Sequence, residues 1–355
     1  IDVLIPIAKG QRQLIVGPLG SGKRKFIESI FTNQKGTGVV CIYAFIGRPV
    51  AYVEEAIANL LSEQGNNDVI ILASFSDDPA PMVYLTPIVA LELAESFSFE
   101  GKDVLVVLDD LGSHAKYFRE ITLLSGKVPG RESYPGDMFY QQARLLERGG
   151  RFNKSLGNGS ITLLPVLETN IEDLTNLVST NLVSATDGHL FFSPLLHAEG
   201  HFPAVVPEQS VTRVGHSTQS MLAKQLSIRV NALIAQYERQ RGYGQFGTQL
   251  SEQTQRTIAR GQSVQILLDQ EPMTALSVEV QIVLLTLVFT TLFEGKESAF
   301  ISHNRDGLIV AISNSNGTTL ESVVASARRG NISFEQFQKK LESAVPHLQT
   351  LCQAP

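Results

Sequence analysis

The sequence predicts an α/β domain with a mainly parallel sheet over residues 1–217, followed by a mostly helical domain over residues 218–355. Three observations carry that reading. Short apolar runs alternate with amphipathic stretches through the first 215 residues, as strands and covering helices of a parallel sheet do. One run, "QLIVG", enters the glycine-rich stretch "GPLGSGK" and leaves it in a helix. Beyond Thr218 the strand-like runs stop and helical periodicity takes over.

Taken in order, Gln13–Gly17 is a strand and Lys23–Asn33 begins a helix. "GVVCIYAFIG" (38–47) is a second buried strand, followed by a helical stretch over 50–64. "DVIILASF" (68–75) is a third, closing in the turn-rich "SDDPAP", and "KDVLVVLDDL" (102–111) a fourth. "GSITLLPVLET" (159–169) and "NLVSATDGHLFF" (181–192) continue the sheet. In "TQSMLAKQLSIRVNALIAQYERQR", Leu222, Leu226, Val230 and Leu233 are spaced for one helix face. Further helices are predicted at 252–269, 277–293, 318–328 and 333–344, while 299–313 fits helix and strand equally.

Composition narrows the function classes. Hydrophobic residues make up 43% and charged residues 18% of 355, a globular balance. A net charge of −6 without a dense basic run argues against gripping nucleic acid. The two cysteines, Cys41 and Cys352, have neither metal-ligand spacing nor a disulfide framework, and Cys41 reads as core. No apolar run reaches the roughly 18 residues that a spanning helix needs, and 278–295, broken by Glu279 and Gln281, reads as a buried helix.

The stretch Gly17–Lys23 has the form GxxxxGK, with Gly17, Gly20, Ser21, Gly22 and Lys23 forming the loop. Between a buried strand and a helix, such a loop wraps phosphate oxygens with backbone N–H groups at a helix N-terminus, and its lysine neutralises them. "VLVVLDD" ends in Asp109, the strand-end position whose carboxylate holds magnesium through a water; Asp110 fits a helix N-cap better. The residue after Lys23 should be a hydroxyl for the metal, yet it is Arg24. A guanidinium has no lone pair to give magnesium, though it can pair directly with phosphate oxygens.

Over nearly its whole length the chain resembles the α subunit of the rotary F-type ATP synthase. The motifs that carry this are "IDVLIPIAKGQRQLIVG", "CIYAFIG", "SDDPAPMVYLTP", "VLVVLDDL", "PGRESYPGDMFYQQARLLERG", "GSITLLPVLET", "TNLVSATDGHLFF", "SVTRVG" and "AQY…QFGTQL". The resemblance implies a RecA-like nucleotide domain and a helical domain facing a rotor, with a crown barrel expected ahead of Ile1. It further implies a hetero-oligomeric ring with a catalytic β-type subunit around a central rotor stalk. Such a ring lies peripherally on the inner face of an energy-transducing membrane, the bacterial cytoplasmic membrane or an organelle's, and touches the membrane only through the complex. Family α subunits bind ATP or ADP without turning it over, and lend an arginine across the interface; the matching position is Arg213 in "SVTRVG". "PGRESYPGD", with Arg131, Glu132 and Asp137, and "QFGTQLSEQTQ" match rotor-facing regions.

The departures bear on the site. Arg48 stands where catalytic subunits carry the carboxylate that polarises water, and an arginine with pKa above about 12 cannot act as a base. Phe202-Pro203 replaces an Arg-Pro pair on the adenine side, so Pro203 matches and its neighbour does not. Gln270 matches a glutamine near the base, while Pro272 replaces a second one. With Arg24 these leave two readings of the pocket, an empty relic or a site that binds nucleotide without magnesium. The function expected is a non-catalytic, regulatory α-type subunit of a proton- or sodium-translocating ATP synthase or ATPase, with Arg213 reaching a neighbour's site. The alternatives are a decayed or stand-alone P-loop scaffold and an autonomous hexameric ATPase; the lack of a base at Arg48 and of a hydroxyl at Arg24 counts against the latter.

Overall fold

The computed structural model describes residues 1–62, 69–128, 130, 134–244 and 251–353, which fall into two units. One comprises 7–215 with 271–274; the other comprises 1–6, 216–270 and 275–355.

The first unit opens with β1 (Gln13–Gly17), α1 (Lys23–Asn33), β2 (Val40–Arg48), α2 (Val50–Ser62) and β3 (Val69–Phe75). It continues through α3 (Ala80–Phe99), β4 (Asp103–Asp109), α4 (Leu111–Leu124), α5 (Met138–Leu146), β5 (Gly150–Arg151) and β6 (Ser160–Glu168). It closes with α6 (Leu177–Ala185), β7 (Gly188–Phe191), α7 (Pro194–Ala198) and β8 (Val211–Thr212). The strands form one sheet in the order β3-β2-β4-β6-β1-β7-β8, parallel from β3 to β7, with β8 antiparallel on β7 and β5 antiparallel on β6. This is the RecA-like α/β architecture that the sequence implies. Strands β1, β4 and β6 are buried almost end to end, because helices cover both faces and each side chain meets apolar cover. Leu14, Val16, Ile42, Ala44, Val106, Leu108 and Leu163 form the centre of the core.

Several elements differ from the sequence reading, which does not pick out the helices at 111–124, 138–146, 194–198 and 345–353, and two differences have a plain physical cause. Only Gly188–Phe191 of the stretch 181–192 is strand; its first part ends α6. Asn176 decides this, since its side chain accepts the Ser179 N–H at 2.8 Å and caps the helix start, while Val178 and Leu182 bury one face. The other is α3, interrupted in sequence by Pro87, Glu92 and Glu95 and not recognised as a helix. Among the described residues it is the one helix long and apolar enough to cross a membrane by length and composition. Here it lies on β2, β3 and β4 with Val83, Ala90, Leu91 and Ala94 fully buried. Arg131 and Glu132 of the loop before α5, and 245–250 of "QFGTQL", lie outside the described residues.

The second unit is helical: α8 (Met221–Gly244), α9 (Glu252–Leu268), α10 (Val278–Leu287), α11 (Ser298–Ser313), α12 (Glu321–Arg329), α13 (Phe334–Glu342) and α14 (Val345–Gln353). The ambiguous stretch 299–313 is thus helix α11. Seven of the ten residues of α10 are buried, from Val280 to Leu287, so it is the core helix against which α8, α9, α11, α12 and α13 pack. Helices α8 and α9 touch at Gly261, where an added Cβ would come within 2.4 Å of the Tyr237 ring. Val3, Leu4 and Ile5 are buried in this unit, tied in by Gln219 Nε2, which donates to the carbonyls of Asp2 and Val3 at 2.8 Å.

The burial of α3 gives a direct test. Leu91→Ala, at a fully buried position, should lower the stability of the isolated chain by about 2–5 kcal/mol in urea unfolding. Leu85→Ala, at a position 49% exposed on the same helix, should change it by less than about 0.5 kcal/mol.

Candidate functional site

The phosphate loop joins β1 to α1. Gly17 ends β1, and a Cβ there would meet the Phe192 carbonyl oxygen at 2.6 Å. Gly20 and Gly22 take φ of +74° and +84°, the left-handed region that glycine enters without strain. Inside this turn Lys23 is 8% exposed. Its Nζ donates to the carbonyls of Gly17 at 2.7 Å and Pro18 at 2.5 Å, and to Ser21 Oγ at 3.3 Å. Burial pushes its pKa down to about 8, against the pull of Glu168 and Asp109. The ammonium that would meet a phosphate is folded back on its own loop.

Asp109, fully buried at the end of β4, is engaged by Arg48 at the end of β2. Arg48 donates to Asp109 Oδ1 through Nε at 3.0 Å and again through Nη2, while Nη1 donates to Glu168 Oε2 at 2.7 Å. The hydroxyls of Tyr43 and Tyr52 donate to Asp109 Oδ2 at 3.2 and 3.1 Å. Burial disfavours the charge on Arg48, but Asp109 and Asp110 outweigh it and hold the guanidinium charged well above its ordinary range. Gly47 makes this turn: it has φ +62°, and a Cβ there would lie 2.7 Å from the Tyr117 ring. Asp110 caps α4, accepting the Ser113 N–H at 2.5 Å, as its sequence position suggests.

Arg24 looks outward from the first turn of α1. It pairs with Glu55 of α2 and lies 3.4 Å from Glu28. Burial raises the Glu28 carboxyl to about 7, against the lowering effect of Arg24 and of the Asn59 amide. The guanidinium of Arg24 therefore ties α1 to α2, and like that of Arg48 it lies over the Tyr52 ring, at 4.9 and 5.0 Å respectively. Gly20, Ser21, Gly22, Lys23, Arg24 and Arg48 all line one cavity of about 300 Å³. A larger cavity of about 550 Å³ adjoins it past Arg48 and Glu168, bordered by the starts of α4 and α6.

Three side chains of this site were not singled out in the sequence. Glu168 ends β6 beside Gly17, and Tyr52 and His197 reach in from α2 and α7. Glu168 had a usable signal, since ligands of open parallel sheets gather at strand carboxyl ends. His197 had none: its ring lies 3.0 Å from where a Gly22 Cβ would be, a contact between segments 175 positions apart.

Of the remaining sequence candidates, Pro203 and Arg213 are in the sheet unit but do not line the cavity. Pro203 follows a cis peptide after Phe202, and its carbonyl accepts the Val205 N–H at 2.8 Å. Gln270 belongs to the helical unit, whereas 271–274 belongs to the sheet unit, where Met273 N donates to Ser29 Oγ of α1 at 3.1 Å. Arg213 is exposed just after β8, with its peptide N–H on the Asp187 carbonyl at 2.9 Å. Buried Gln11 and Gln13 hold the strand beneath it, Gln13 through the Val211 carbonyl at 3.0 Å and Gln11 through Thr212 Oγ1 at 3.0 Å. Among the described residues no group of three or more His, Cys, Asp or Glu is disposed to hold a metal.

Residues 1–212 match the nucleotide-binding domain of the ATP synthase alpha/beta family, and residues 219–347 match the C-terminal domain of the ATP synthase alpha/beta chain. The chain is 40% identical over 299 residues to ATP synthase subunit alpha 1 of Dinoroseobacter shibae, covering 84% of this chain and 58% of that one. It is 37% identical over 302 residues to ATP synthase subunit alpha 1 of Chlorobium luteolum, covering 85% and 59%. Against ATP synthase subunit alpha of Clostridium acetobutylicum it is 41% identical over 289 residues, covering 81% and 57%. The chain thus spans 57–59% of the length of these curated relatives. With both domains matched in succession on one phosphate-loop sheet and one helical unit, the chain belongs to the ATP synthase alpha/beta family.

Proposed function

We propose that this chain is an α-type, non-catalytic subunit of a rotary, proton- or sodium-translocating ATP synthase or ATPase. In this reading its sheet domain, residues 1–217, binds ATP or ADP without turning it over, and its helical domain, 218–355, faces the rotor. The observation that carries the reading is the engagement of Asp109 by Arg48 beside an intact phosphate loop. The loop keeps the backbone and the lysine that hold phosphates; the strand-end carboxylate is occupied, and the position of the general base is a guanidinium that cannot accept a proton. A site so built can bind and cannot activate water. Gly20, Ser21, Gly22 and Lys23 would hold the phosphates; Pro203 and Gln270 are the base-side candidates.

Activity is then supplied by partners, a catalytic β-type subunit and a rotor stalk, in a ring on the inner face of an energy-transducing membrane. Arg213 is the residue offered to the β-type site. Its side chain is exposed and its charge helps, against burial, to lower the Asp187 carboxyl pKa, while its backbone is fixed by the Asp187 carbonyl and by the strand under it. A charged fork on a fixed base suits the stabilisation of a transferring phosphoryl group.

Three outcomes are expected. The purified chain should show no magnesium-dependent ATPase above a Lys23→Ala control; robust turnover would revive the autonomous-enzyme reading. In a ring reconstituted with a β-type partner, Arg213→Ala should leave assembly intact and cut steady-state turnover about 10²-fold or more, and Arg213→Lys should recover little. Near-normal turnover in an intact Arg213→Ala ring would mean the arginine is structural. The third concerns pH. Lys23 titrates at about 8 in the free chain, and a bound phosphate must raise that value, so binding takes up a proton above pH 8. ADP affinity measured by calorimetry should therefore fall as pH rises beyond 8, and Lys23→Ala should remove the slope.

A further inference from the structure

We propose that the nucleotide site of this chain takes its ligand as a metal-free anion, the Arg48 guanidinium standing on Asp109 where a magnesium ion would require that carboxylate. The inference rests on the nucleotide reading above and adds the form of the ligand.

The residues do not fit magnesium. A carboxylate offers about four lone-pair sites. Asp109 spends two on Arg48 Nε and Nη2 and one each on the hydroxyls of Tyr43 and Tyr52. Tyr43 is buried and Tyr52 half-buried, and desolvation with the nearby Asp109 charge raises both pKa values well above the ordinary range and keeps them as donors. For a metal-bound water to reach Asp109, the guanidinium would have to leave both Asp109 and Glu168. The loop provides no replacement oxygen, because Arg24 follows Lys23 and magnesium demands near-octahedral oxygen ligands. Nor is Arg24 poised to stand in for the ion, since its guanidinium is engaged by Glu55 and Glu28.

The same cavity does fit an anion. Lys23, Lys25 and Arg48 line it, with Glu168 the one carboxylate among its lining residues; Arg24 lines it too but is held by Glu55 and Glu28. In a bound complex the metal's usual task is to offset charge on the β- and γ-phosphates; here Lys23, Lys25 and the fixed guanidinium of Arg48 are the groups placed to do so. Arg48 is well suited to that task because its charge is locked on and its plane is fixed by three hydrogen bonds. Adding magnesium to the ligand would place a divalent cation beside this guanidinium, which like-charge repulsion opposes.

Calorimetry with ADP as the probe, on the full chain in excess MgCl₂ and separately in EDTA, decides the matter. Affinity should be no tighter with magnesium than with chelator, to within about twofold. The double variant Arg24→Thr/Arg48→Gln, which returns a hydroxyl to the loop and frees Asp109, should gain a preference for magnesium of about tenfold, with its fold checked by thermal melting. Wild-type binding tightened about tenfold or more by magnesium overturns the inference while leaving the nucleotide site standing. No ADP binding by the wild-type chain in either buffer overturns the nucleotide reading itself and the inference with it. The wild-type comparison stands even if the double variant fails to fold.

Discussion

Arg48 and Asp109 meet at the carboxyl edge of the sheet, and Glu168, Tyr43 and Tyr52 are all engaged by that meeting. Burying a guanidinium and a carboxylate costs several kcal/mol per ion, and their attraction offsets this only where the remaining donors and acceptors are satisfied. Here they are: Glu168 takes the far side of Arg48, and the two tyrosine hydroxyls take the far oxygen of Asp109. Removing Arg48 would leave the Asp109 charge buried without its counter-ion, a loss of about 3–5 kcal/mol in comparable pairs. The pair therefore fixes the ends of β2, β4 and β6 to one another. It also contributes, after burial and Glu168, to the electrostatic environment of Lys23.

Parallel topology brings these groups together. Because β2, β4, β6 and β1 lie side by side and run the same way, their carboxyl ends deliver Arg48, Asp109, Glu168 and Gly17 to one edge. Register refines the arrangement: Asp109 pairs with Phe45, so β2 continues past it, and the irregularity between Phe45 and Arg48 turns the arginine at Gly47. Gly17 pairs with Glu168, which sets that carboxylate beside the entrance to the phosphate loop. Arg213 sits elsewhere, just after the antiparallel strand β8 that finishes the sheet beyond β7. Separation of the phosphate loop from the exposed arginine is built into the strand order.

The sequence carried much of this, for reasons that differ by element. The loop was legible because glycines at Gly20 and Gly22 are demanded by positive φ, a constraint written in single residues. Strands β1, β2, β4 and β6 were legible because full burial leaves continuous apolar runs. Helix α3 was not, since prolines and glutamates interrupt its apolar run while its packing on three strands still holds it as a helix. Helix α6 was obscured in a similar way, its β-like composition overridden by the Asn176 cap and a buried face.

For the site, the sequence by itself determined the side chains available: a GxxxxGK loop, a strand-end aspartate, an arginine two residues past the apolar run of β2 and another just after the loop lysine. Those are properties of side-chain types at short spacings. Which arginine meets which acid was decided only by tertiary structure. Arg24 is one residue from Lys23, yet it turns to Glu55 of α2, while Arg48, 25 residues away, closes on Asp109. The reason is geometric, since α1 directs Arg24 toward its neighbouring helix while adjacent parallel strands bring the ends of β2 and β4 within hydrogen-bonding reach, and no local pattern in the chain encodes that proximity.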